Sequence, residues 1–194
     1  MDEKGQILKI FKTTGALLEG HFVLTSGKHS PTYFQCAKVL QHPEYLTVFS
    51  IMIADRFEGR QPDVVISPAI GGIVLGTEVG AQLGCRTIFA ERINGDMVIR
   101  RGFNLEHDES VLIVEDVITT GKSSLECAKL IKKSGAILLG FACLIDRSNK
   151  QTLKIKRKNI ISQVKLKIPT YKKKNIPESL KKIPITKPGS RFLK

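Results

Sequence analysis

The stretch Val-Leu-Ile-Val-Glu-Asp-Val-Ile-Thr-Thr-Gly-Lys-Ser-Ser, residues 111–124, decides the fold of this chain. It begins with four aliphatic residues, a pattern typical of a strand buried on both faces of a parallel sheet. Two carboxylates follow, Glu115 and Asp116, and a small polar loop then leads into a helix that we expect to begin near Ser124. The stretch therefore predicts carboxylates and a polar loop at the carboxyl edge of a sheet, where open α/β folds bind ligands.

The loop at residues 119–123 has the composition of a phosphate site. Backbone N–H groups at the start of a helix attract anions, and the helix dipole adds to the attraction. Glu115 and Asp116 accept hydrogen bonds, so they suit ribose hydroxyls rather than the phosphate. A polar turn after a core strand is the alternative, and a P-loop is excluded because Asp116 stands where its first glycine should be. The loop supplies three hydroxyl donors and a glycine that allows close approach of the backbone, namely Thr119, Thr120, Ser123 and Gly121.

This stretch resembles the phosphoribosyl pyrophosphate motif of the type I phosphoribosyltransferases. Its Glu-Asp-Val-Ile-Thr-Thr-Gly form is most similar to that of the orotate phosphoribosyltransferases. The resemblance implies a parallel sheet flanked by helices, with a small hood built from the N-terminal and C-terminal segments. It also implies that Mg²⁺ is carried by the pyrophosphate of the donor, with no metal ligated directly by the protein. The residues that the motif assigns to the donor are Glu115, Asp116, Val117, Ile118, Thr119, Thr120, Gly121, Lys122 and Ser123.

A second glycine loop follows the apolar strand that we expect at residues 63–67. Taken alone, it is either a glycine-packed turn or an anion-binding start of a helix. It is similar to the pyrophosphate loop of the family, and Arg92 lines up with a basic position of the family. The resemblance implies that Arg92 binds the pyrophosphate and acts in catalysis with Glu115 and Asp116. The same pyrophosphate should meet backbone N–H groups of Ala69, Ile70, Gly71 and Gly72.

Residues 24–35 and Arg147 carry the likeness to the orotate enzymes in particular. Leu-Thr-Ser-Gly-Lys-His-Ser-Pro-Thr-Tyr-Phe-Gln is similar to the loop by which those enzymes hold the base. Orotate differs from uracil by a carboxylate, which a planar guanidinium binds through two hydrogen bonds. Without the resemblance, Lys28 would be part of a solvated turn and Arg147 a surface ion-pair partner. The resemblance implies that orotate is bound by Thr119, Arg147, Lys28, Tyr33 and Phe34.

Residues 92–104 are expected to form a flexible flap. Asn94-Gly95 is a strong signal for a β-hairpin. Many orotate phosphoribosyltransferases carry here a mobile loop with lysines and a histidine, used on the neighbouring subunit's site. This chain departs from that pattern, since it has no Lys-x-x-x-His between residues 91 and 106 and His107 falls too late to replace it. Arg100 and Arg101 are either flap residues or surface charge of the hairpin.

The order of the predicted elements indicates a single α/β domain of 194 residues. Strands alternate with helices, which predicts a parallel sheet. We expect a core of about residues 40–147 and a hood made from residues 1–39 and 148–194. An amphipathic helix is predicted over residues 5–19, closed by Gly20.

Positive charge is concentrated in the C-terminal quarter. The formal charge is +13 at pH 7, and residues 147–194 hold 16 Lys and Arg against one acidic residue. Aromatic residues hardly occur there, so a solvated basic face is favoured over a nucleic-acid surface. Within this quarter, residues 164–168 alternate like a strand with one polar face, and residues 183–191 resemble the tail of some bacterial and archaeal orotate enzymes.

Apolar runs, the N-terminus and the cysteines indicate a cytoplasmic protein. No apolar run reaches the roughly 18 residues that span a bilayer, and the N-terminus lacks the order of a signal peptide. The four cysteines contain no Cys-x-x-Cys pair, which favours a reduced compartment. We therefore expect no membrane partner, and the family resemblance implies a homodimer.

The resemblance as a whole implies an orotate phosphoribosyltransferase. Such a pentosyl transferase joins orotate to the ribose 5-phosphate of phosphoribosyl pyrophosphate and releases pyrophosphate, a step of UMP biosynthesis. Two alternatives stay open. One is a purine phosphoribosyltransferase, which residues 24–35 and Arg147 disfavour. The other is a regulator that senses phosphoribosyl pyrophosphate and binds nucleic acid through the basic C-terminal region.

Overall fold

Strands and helices alternate over much of the chain, as the apolar runs predict. The structure, a computed structural model, describes residues 2–24, 26–149 and 153–186. Its helices are α1 (Glu3–Thr13), α2 (Ala37–Leu40), α3 (Pro43–Ala54), α4 (Gly71–Leu83), α5 (Lys122–Ser134) and α6 (Glu178–Lys181). Its strands are β1 (Leu17–Val23), β2 (His29–Phe34), β3 (Val64–Pro68), β4 (Arg86–Ile93), β5 (Asp96–Ile99), β6 (Ser110–Ile118), β7 (Ile137–Asp146), β8 (Ile160–Lys165) and β9 (Ile185–Thr186).

Two compact units make up the chain. The terminal unit is Met1–Val39 with Lys167–Lys194, and the sheet unit is Leu40–Leu166. The expected hood comprised residues 1–39 and 148–194, and its C-terminal part therefore began earlier than that of the terminal unit. Strand β8 pairs in parallel with β7, so the residues up to 166 belong with the sheet.

The sheet unit contains six strands in the order β5-β4-β3-β6-β7-β8. All neighbours are parallel except β4 and β5, which form an antiparallel hairpin. Burial on both faces explains the apolar runs, since Val64, Ile66 and Ile113 have no exposed surface. Because β3, β4 and β6 run in parallel, their carboxyl ends lie together. We call this side the carboxyl edge and the opposite side the amino edge.

Helix α4 packs against the strands at backbone distance. A Cβ added at Gly72 would lie 2.9 Å from the carbonyl oxygen of Val114, and one added at Gly76 would clash with Oγ of Ser67. Only glycine allows a helix to approach a sheet this closely. The packing fixes the first turn of α4 at the carboxyl edge.

The terminal unit is a three-stranded sheet with helix α1. Strand β1 pairs antiparallel with β2 and parallel with β9. The helix expected over residues 5–19 is too long, because α1 ends at Thr13 and the chain turns at Gly15, whose φ is 66°. Gly20 therefore lies within β1 and does not close a helix.

A buried histidine pair joins distant segments within the terminal unit. Nε2 of His21 lies 2.7 Å from Nδ1 of His29, and Nδ1 of His21 lies 3.2 Å from the carbonyl oxygen of Ile183. The backbone of His29 also exchanges two hydrogen bonds of 2.8 Å with Tyr171. Of the tail that resembles that of some bacterial and archaeal orotate enzymes, residues 187–191 lie outside the described residues.

Within the described ranges, none of the helices is both long and apolar enough to cross a membrane. All four cysteines are free, and Cys36, Cys127 and Cys143 are buried.

Candidate active site

Strand β6 ends with Glu115 and Asp116 at the carboxyl edge. Glu115 accepts a hydrogen bond from Oγ of Ser124, and Oδ1 of Asp116 accepts one of 2.9 Å from the N–H of Val117. Both residues keep part of their surface accessible, yet protein atoms crowd both carboxyl groups. Burial raises the pKa of Glu115 to about 8, a rise that the charge of Asp116 increases and the Ser124 hydrogen bond opposes. Burial also raises the pKa of Asp116.

The residues between the carboxylates and the loop continue the strand. Ile118 is 1% exposed, so its side chain is part of the core, while Val117 is half-buried. Only their backbone groups are therefore placed to meet the phosphoribosyl pyrophosphate that the family resemblance implies. Thr119 follows as an exposed residue at the tip of the loop.

Helix α5 begins at Lys122, two residues before the expected start. Gly121 precedes it with a φ of 69° and no side-chain cap, so the N–H groups of the first turn keep no partner within the helix. A Cβ at Gly121 would lie 3.1 Å from Cγ1 of Ile155, and the N–H of Lys154 donates to the carbonyl of Thr120 at 2.8 Å. The segment around Ile155 thus holds the loop in the shape of an anion nest.

The second glycine loop meets the carboxylates directly. A Cβ added at Gly71 would lie 2.6 Å from Oδ2 of Asp116, and one added at Gly72 would lie 3.3 Å from Cα of Glu115. The N–H of Ala69 donates to the carbonyl of Ala90 at 2.7 Å, which ties this loop to β4, and the side chain of Ile70 is exposed. The structure therefore brings the two predicted loops together at one edge.

Arg92 lies near the end of β4, and its guanidinium binds Glu126 of α5. One Nη of Arg92 donates to each carboxylate oxygen, and Nη1 also donates to the carbonyl of Gly95 in the hairpin turn. Nζ of Lys122 lies 3.9 Å from the same carboxylate. Sequence reasoning missed Glu126, although its place four residues after Lys122 puts both on one helix face.

The hairpin predicted by Asn94-Gly95 is confirmed. Strands β4 and β5 pair antiparallel across this turn, and both turn residues have positive φ, 50° and 97°. Arg100 and Arg101 lie 3.5 and 2.9 Å from Oε1 of Glu91, which fits the reading as surface charge. The mobility expected of residues 92–104 stays a prediction.

Arg147 follows β7 at the same edge. Its N–H donates to the carbonyl of Ile118 at 2.9 Å, which joins it to the end of the motif strand. The next residue, Ser148, donates from its N–H to Oδ1 of Asp146 at 2.8 Å and accepts from Nη2 of Arg157 at 3.2 Å. The backbone that carries Arg147 is therefore held from two sides.

The remaining candidates for the base lie in the terminal unit. Phe34 is 5% exposed, and its ring meets that of Phe11 edge-to-face at 5.8 Å. The ring is therefore part of the core of this unit, and its expected contact with the base stays a prediction. Tyr33 is half-buried beside Phe22, and Lys28 is half-buried in its loop. Thr25, within the same loop, lies outside the described residues.

The amino edge holds a cleft of about 430 Å³ lined by charged residues. Asp63 accepts hydrogen bonds from the hydroxyl and N–H of Ser110 at 2.6 and 2.7 Å, and these lower the pKa of Asp63. Arg86 donates to both oxygens of Glu109, which lowers the pKa of that carboxyl. Because these charges are compensated within the protein, we assign the ligand chemistry to the carboxyl edge.

No cluster of three His, Cys, Asp or Glu residues that could hold a metal ion occurs in the described part of the chain. Glu115 and Asp116 nevertheless supply adjacent carboxylates, the ligands that Mg²⁺ accepts when phosphates of a substrate complete its shell. The carboxyl edge thus fits an ion that arrives with a phosphorylated ligand.

Comparison with known proteins agrees with this geometry. Residues 36–181 match the model of the phosphoribosyl transferase domain. The chain is 55% identical over 188 residues to the orotate phosphoribosyltransferase of Chlorobium phaeobacteroides (strain BS1), a match that covers 96% of both chains. It is 46% identical over 190 residues to that of Thermoanaerobacter sp. (strain X514), with 97% and 98% covered.

A solved structure supports the fold. The crystal structure of orotate phosphoribosyltransferase from Aeropyrum pernix superposes with a TM-score of 0.68 at 22% identity, covering 83% of this chain and 94% of that one. Adenine phosphoribosyltransferase from Thermoanaerobacter pseudethanolicus gives a TM-score of 0.57 at 22% identity, covering 70% and 88%. At these identities the likeness concerns the fold alone. From the domain match and the near full-length relatives, the chain belongs to the orotate phosphoribosyltransferase family, with the type I phosphoribosyltransferase fold.

Proposed function

We propose that this protein transfers ribose 5-phosphate from phosphoribosyl pyrophosphate to orotate, giving orotidine 5′-monophosphate and pyrophosphate. The observation that carries the proposal is the contact between Gly71 and Asp116, where an added Cβ would lie 2.6 Å from the carboxylate. Two loops that suit pyrophosphate and ribose meet there. The names of the relatives support orotate over a purine base and over a purely regulatory role. The reaction would serve pyrimidine synthesis.

The 5-phosphate of the donor would occupy the loop at residues 119–123. The N–H of Lys122 already donates to Oγ1 of Thr120 at 3.3 Å. The other N–H groups in the first turn of α5, together with the helix dipole, attract a phosphate. The left-handed Gly121, packed against Ile155, keeps the backbone open on the ligand side. Hydroxyl groups of Thr119, Thr120 and Ser123 would add donors.

Glu115 and Asp116 would accept hydrogen bonds from the ribose hydroxyls. Cleavage of the bond between C1 and the pyrophosphate oxygen passes through an oxocarbenium-like state, in which the ribose carries positive charge. Two carboxylates beside the ring stabilise that charge more than they stabilise the neutral ground state. This difference makes them the catalytic residues of the proposal, together with Arg92.

The leaving pyrophosphate would meet the backbone N–H groups of residues 69–72 and the guanidinium of Arg92. Mg²⁺ would be carried chiefly by the phosphate oxygens, with Glu115 and Asp116 as the nearby carboxylates. When bound, the ion would neutralise charge that develops on the pyrophosphate. Closure of residues 92–104 would exclude water, which otherwise hydrolyses the activated sugar.

Orotate would be recognised through its carboxylate by Arg147, with Thr119 beside the ring. The backbone hydrogen bonds around Arg147 support this role, because a fixed base of the side chain favours bidentate binding. Lys28 and Tyr33 remain candidates for the base. Phe34 also remains a candidate, although its ring is buried.

A homodimer in the cytoplasm is part of the proposal. Val48 and Ile51 of α3 and Val74 of α4 are large apolar side chains between 41% and 49% exposed, on helices that contact each other. Such a group on neighbouring helices suits a second copy of the chain. The four free cysteines agree with a reducing compartment. Mass measurement by light scattering in solution would test the dimer.

The direct test mixes the protein with Mg²⁺, phosphoribosyl pyrophosphate and orotate while the absorbance of orotate is followed. We expect orotate to be consumed and uracil and adenine to be left unchanged. Turnover of adenine without turnover of orotate would contradict the proposed substrate.

Arg147→Ala tests recognition of the base separately. The KM for orotate should rise about 100-fold, since a charged bidentate contact contributes roughly 3 kcal/mol. The KM for phosphoribosyl pyrophosphate should change far less. Equal rises in both constants would assign Arg147 to the architecture of the site.

A further inference from the structure

Glu126 is the partner of the arginine on which the proposed chemistry depends. Its carboxylate accepts from both Nη atoms of Arg92, and its side chain is 21% exposed. The hydrogen bond to Glu126 is the main cause that raises the pKa of Arg92. The contact links the end of β4 to the second turn of α5, the helix whose first turn forms the anion nest.

The same pair leaves Arg92 with unused donors. A guanidinium has five N–H groups. The recorded bonds use three of them, two from Nη1 to Gly95 and Glu126 and one from Nη2 to Glu126. Among the described residues, Nε and the second Nη2 proton have no other acceptor, so they remain for an acceptor from a ligand.

Arg92 also stands close to the second glycine loop in the sheet. Ala90, two residues earlier on β4, accepts the backbone hydrogen bond from Ala69. The strand thus connects the loop to the residue that carries the guanidinium. A residue that fixes Arg92 also fixes the distance from its guanidinium to an anion at that loop.

We propose that Glu126 is a positioning residue for Arg92, holding the guanidinium between α5 and the hairpin turn so that it meets the pyrophosphate in one orientation. This inference rests on the proposed function, because it takes the pyrophosphate of the donor as the ligand of Arg92. It adds a negatively charged residue whose presence beside an anion site would otherwise be unfavourable.

Because Glu126 is negatively charged, a positioning role and a purely electrostatic role predict opposite effects of its substitution. Glu126 is negative and lies near two cations, Arg92 and Lys122, which face the same helix turn. If Glu126 only weakened the positive field, Glu126→Gln would strengthen the binding of the anionic donor. If Glu126 positions Arg92, the same substitution weakens it, because Arg92 gains alternative orientations.

The test compares Glu126→Gln with a matched control. Arg86 and Glu109 form the same kind of bidentate pair at the first residue of β4, at the amino edge. We expect Glu126→Gln to lower kcat/KM for phosphoribosyl pyrophosphate about tenfold, with little change in KM for orotate. Glu109→Gln should leave both constants within about twofold. An unchanged or higher kcat/KM for phosphoribosyl pyrophosphate in Glu126→Gln overturns the inference.

A double-mutant cycle tests the route through Arg92. If Glu126 acts through the guanidinium, adding Glu126→Gln to Arg92→Gln should change kcat/KM by less than about twofold. A second tenfold loss in the double variant would mean that Glu126 acts elsewhere and would overturn the inference. Glu126→Asp keeps the charge with a shorter side chain and should give an intermediate loss, which retains the test if the Gln variant folds poorly.

Calorimetric binding of magnesium pyrophosphate separates this inference from the proposed function. The measurement needs no base, so failure to consume orotate would refute the function alone. Wild type should bind pyrophosphate about tenfold more tightly than Glu126→Gln, and Glu109→Gln should match wild type. Equal affinities for wild type and Glu126→Gln would refute the positioning role.

Discussion

The carboxyl groups at the two edges of the sheet unit have pKa values that are shifted in opposite directions. At the amino edge, hydrogen bonds within the protein lower the pKa of Asp63 and of Glu109. At the carboxyl edge, burial raises the pKa of Glu115 and of Asp116. The amino edge is complete in itself, whereas burial at the carboxyl edge disfavours the charged forms of Glu115 and Asp116. Carboxyl groups with raised pKa values beside an anion nest indicate a site for a ligand that brings hydroxyls and a cation.

The sharpest test of this comparison replaces one aspartate by asparagine at each edge. Asp116→Asn should lower kcat/KM about 10³-fold, because it removes negative charge beside the developing oxocarbenium. Asp63→Asn should leave kcat/KM unchanged and only slightly lower the unfolding temperature. Steady-state kinetics with orotate, alongside thermal unfolding of both variants, checks the difference. Similar activity in the two variants would abolish the functional distinction between the edges.

A smaller loss of kcat/KM is expected when the glycine loop at residues 69–72 is pushed away from the carboxylates of Glu115 and Asp116. Gly71→Ala places a Cβ 2.6 Å from Oδ2 of Asp116, closer than the two atoms can approach, so one of them must move, and we expect kcat/KM to fall about 10²-fold. Gly140→Ala is the control, since its Cβ would lie 3.3 Å from the carbonyl of Asn159, away from the candidate site. A Gly71→Ala enzyme with normal kinetics would show that the contact does not matter for catalysis.

The pH dependence of stability should distinguish the edges as well. In the unfolded chain Glu115 titrates near 4.5, and in the folded protein near 8, so between these values the folded state binds more protons. Stability should therefore fall as the pH rises from about 5 to 8, lowering the unfolding temperature by a few degrees. Glu115→Gln should remove most of this decline, and an unchanged slope in that variant would assign it to another group.

The lowered pKa values at the amino edge change stability with pH in the opposite direction. Asp63 and Glu109 contribute stability that is present above their unfolded pKa values and is lost as the pH falls through the folded ones. Their effect therefore belongs below about pH 4.5 and does not overlap with that of Glu115.

The smallest expected effect concerns the ion pair at the amino edge. Arg86→Gln should reduce the free energy of unfolding by about 0.5 kcal/mol, because solvent screens a pair whose arginine is 39% exposed. Its kcat/KM should equal that of wild type. Chemical denaturation measures the first quantity and the orotate assay the second, and a clear loss of activity would mean that the amino edge also serves the reaction.

Local signals in the sequence predicted much of the sheet unit. Asn94-Gly95 specified the hairpin, and Gly121, expected to allow close approach of the backbone, precedes α5 with a φ of 69°. Both signals depend on one or two residues whose backbone preferences are strong. The four aliphatic residues 111–114 were an equally clear signal, and they form the fully buried part of β6.

Features that depend on distant partners were missed. The pairing of Arg92 with Glu126 joins residues 34 positions apart, and neither periodicity nor composition records it. Leu17 fits the apolar face of a helix as well as a strand, and pairing with Phe34 decided in favour of β1. The pairing of β1 with β2, together with the contact to Phe11, buries the ring of Phe34, which the family resemblance had assigned to the base.

The histidine pair of the terminal unit has a consequence for the order in which the protein forms on the ribosome. His21 reaches the carbonyl of Ile183, and His29 pairs with Tyr171, so strands made first are completed by residues made last. The sheet unit uses residues 40–166 alone and can fold earlier during synthesis. Until Ile183 emerges, the first hairpin lacks its third strand, and a nascent chain paused before that point would carry a folded sheet unit and an unfinished N-terminal segment.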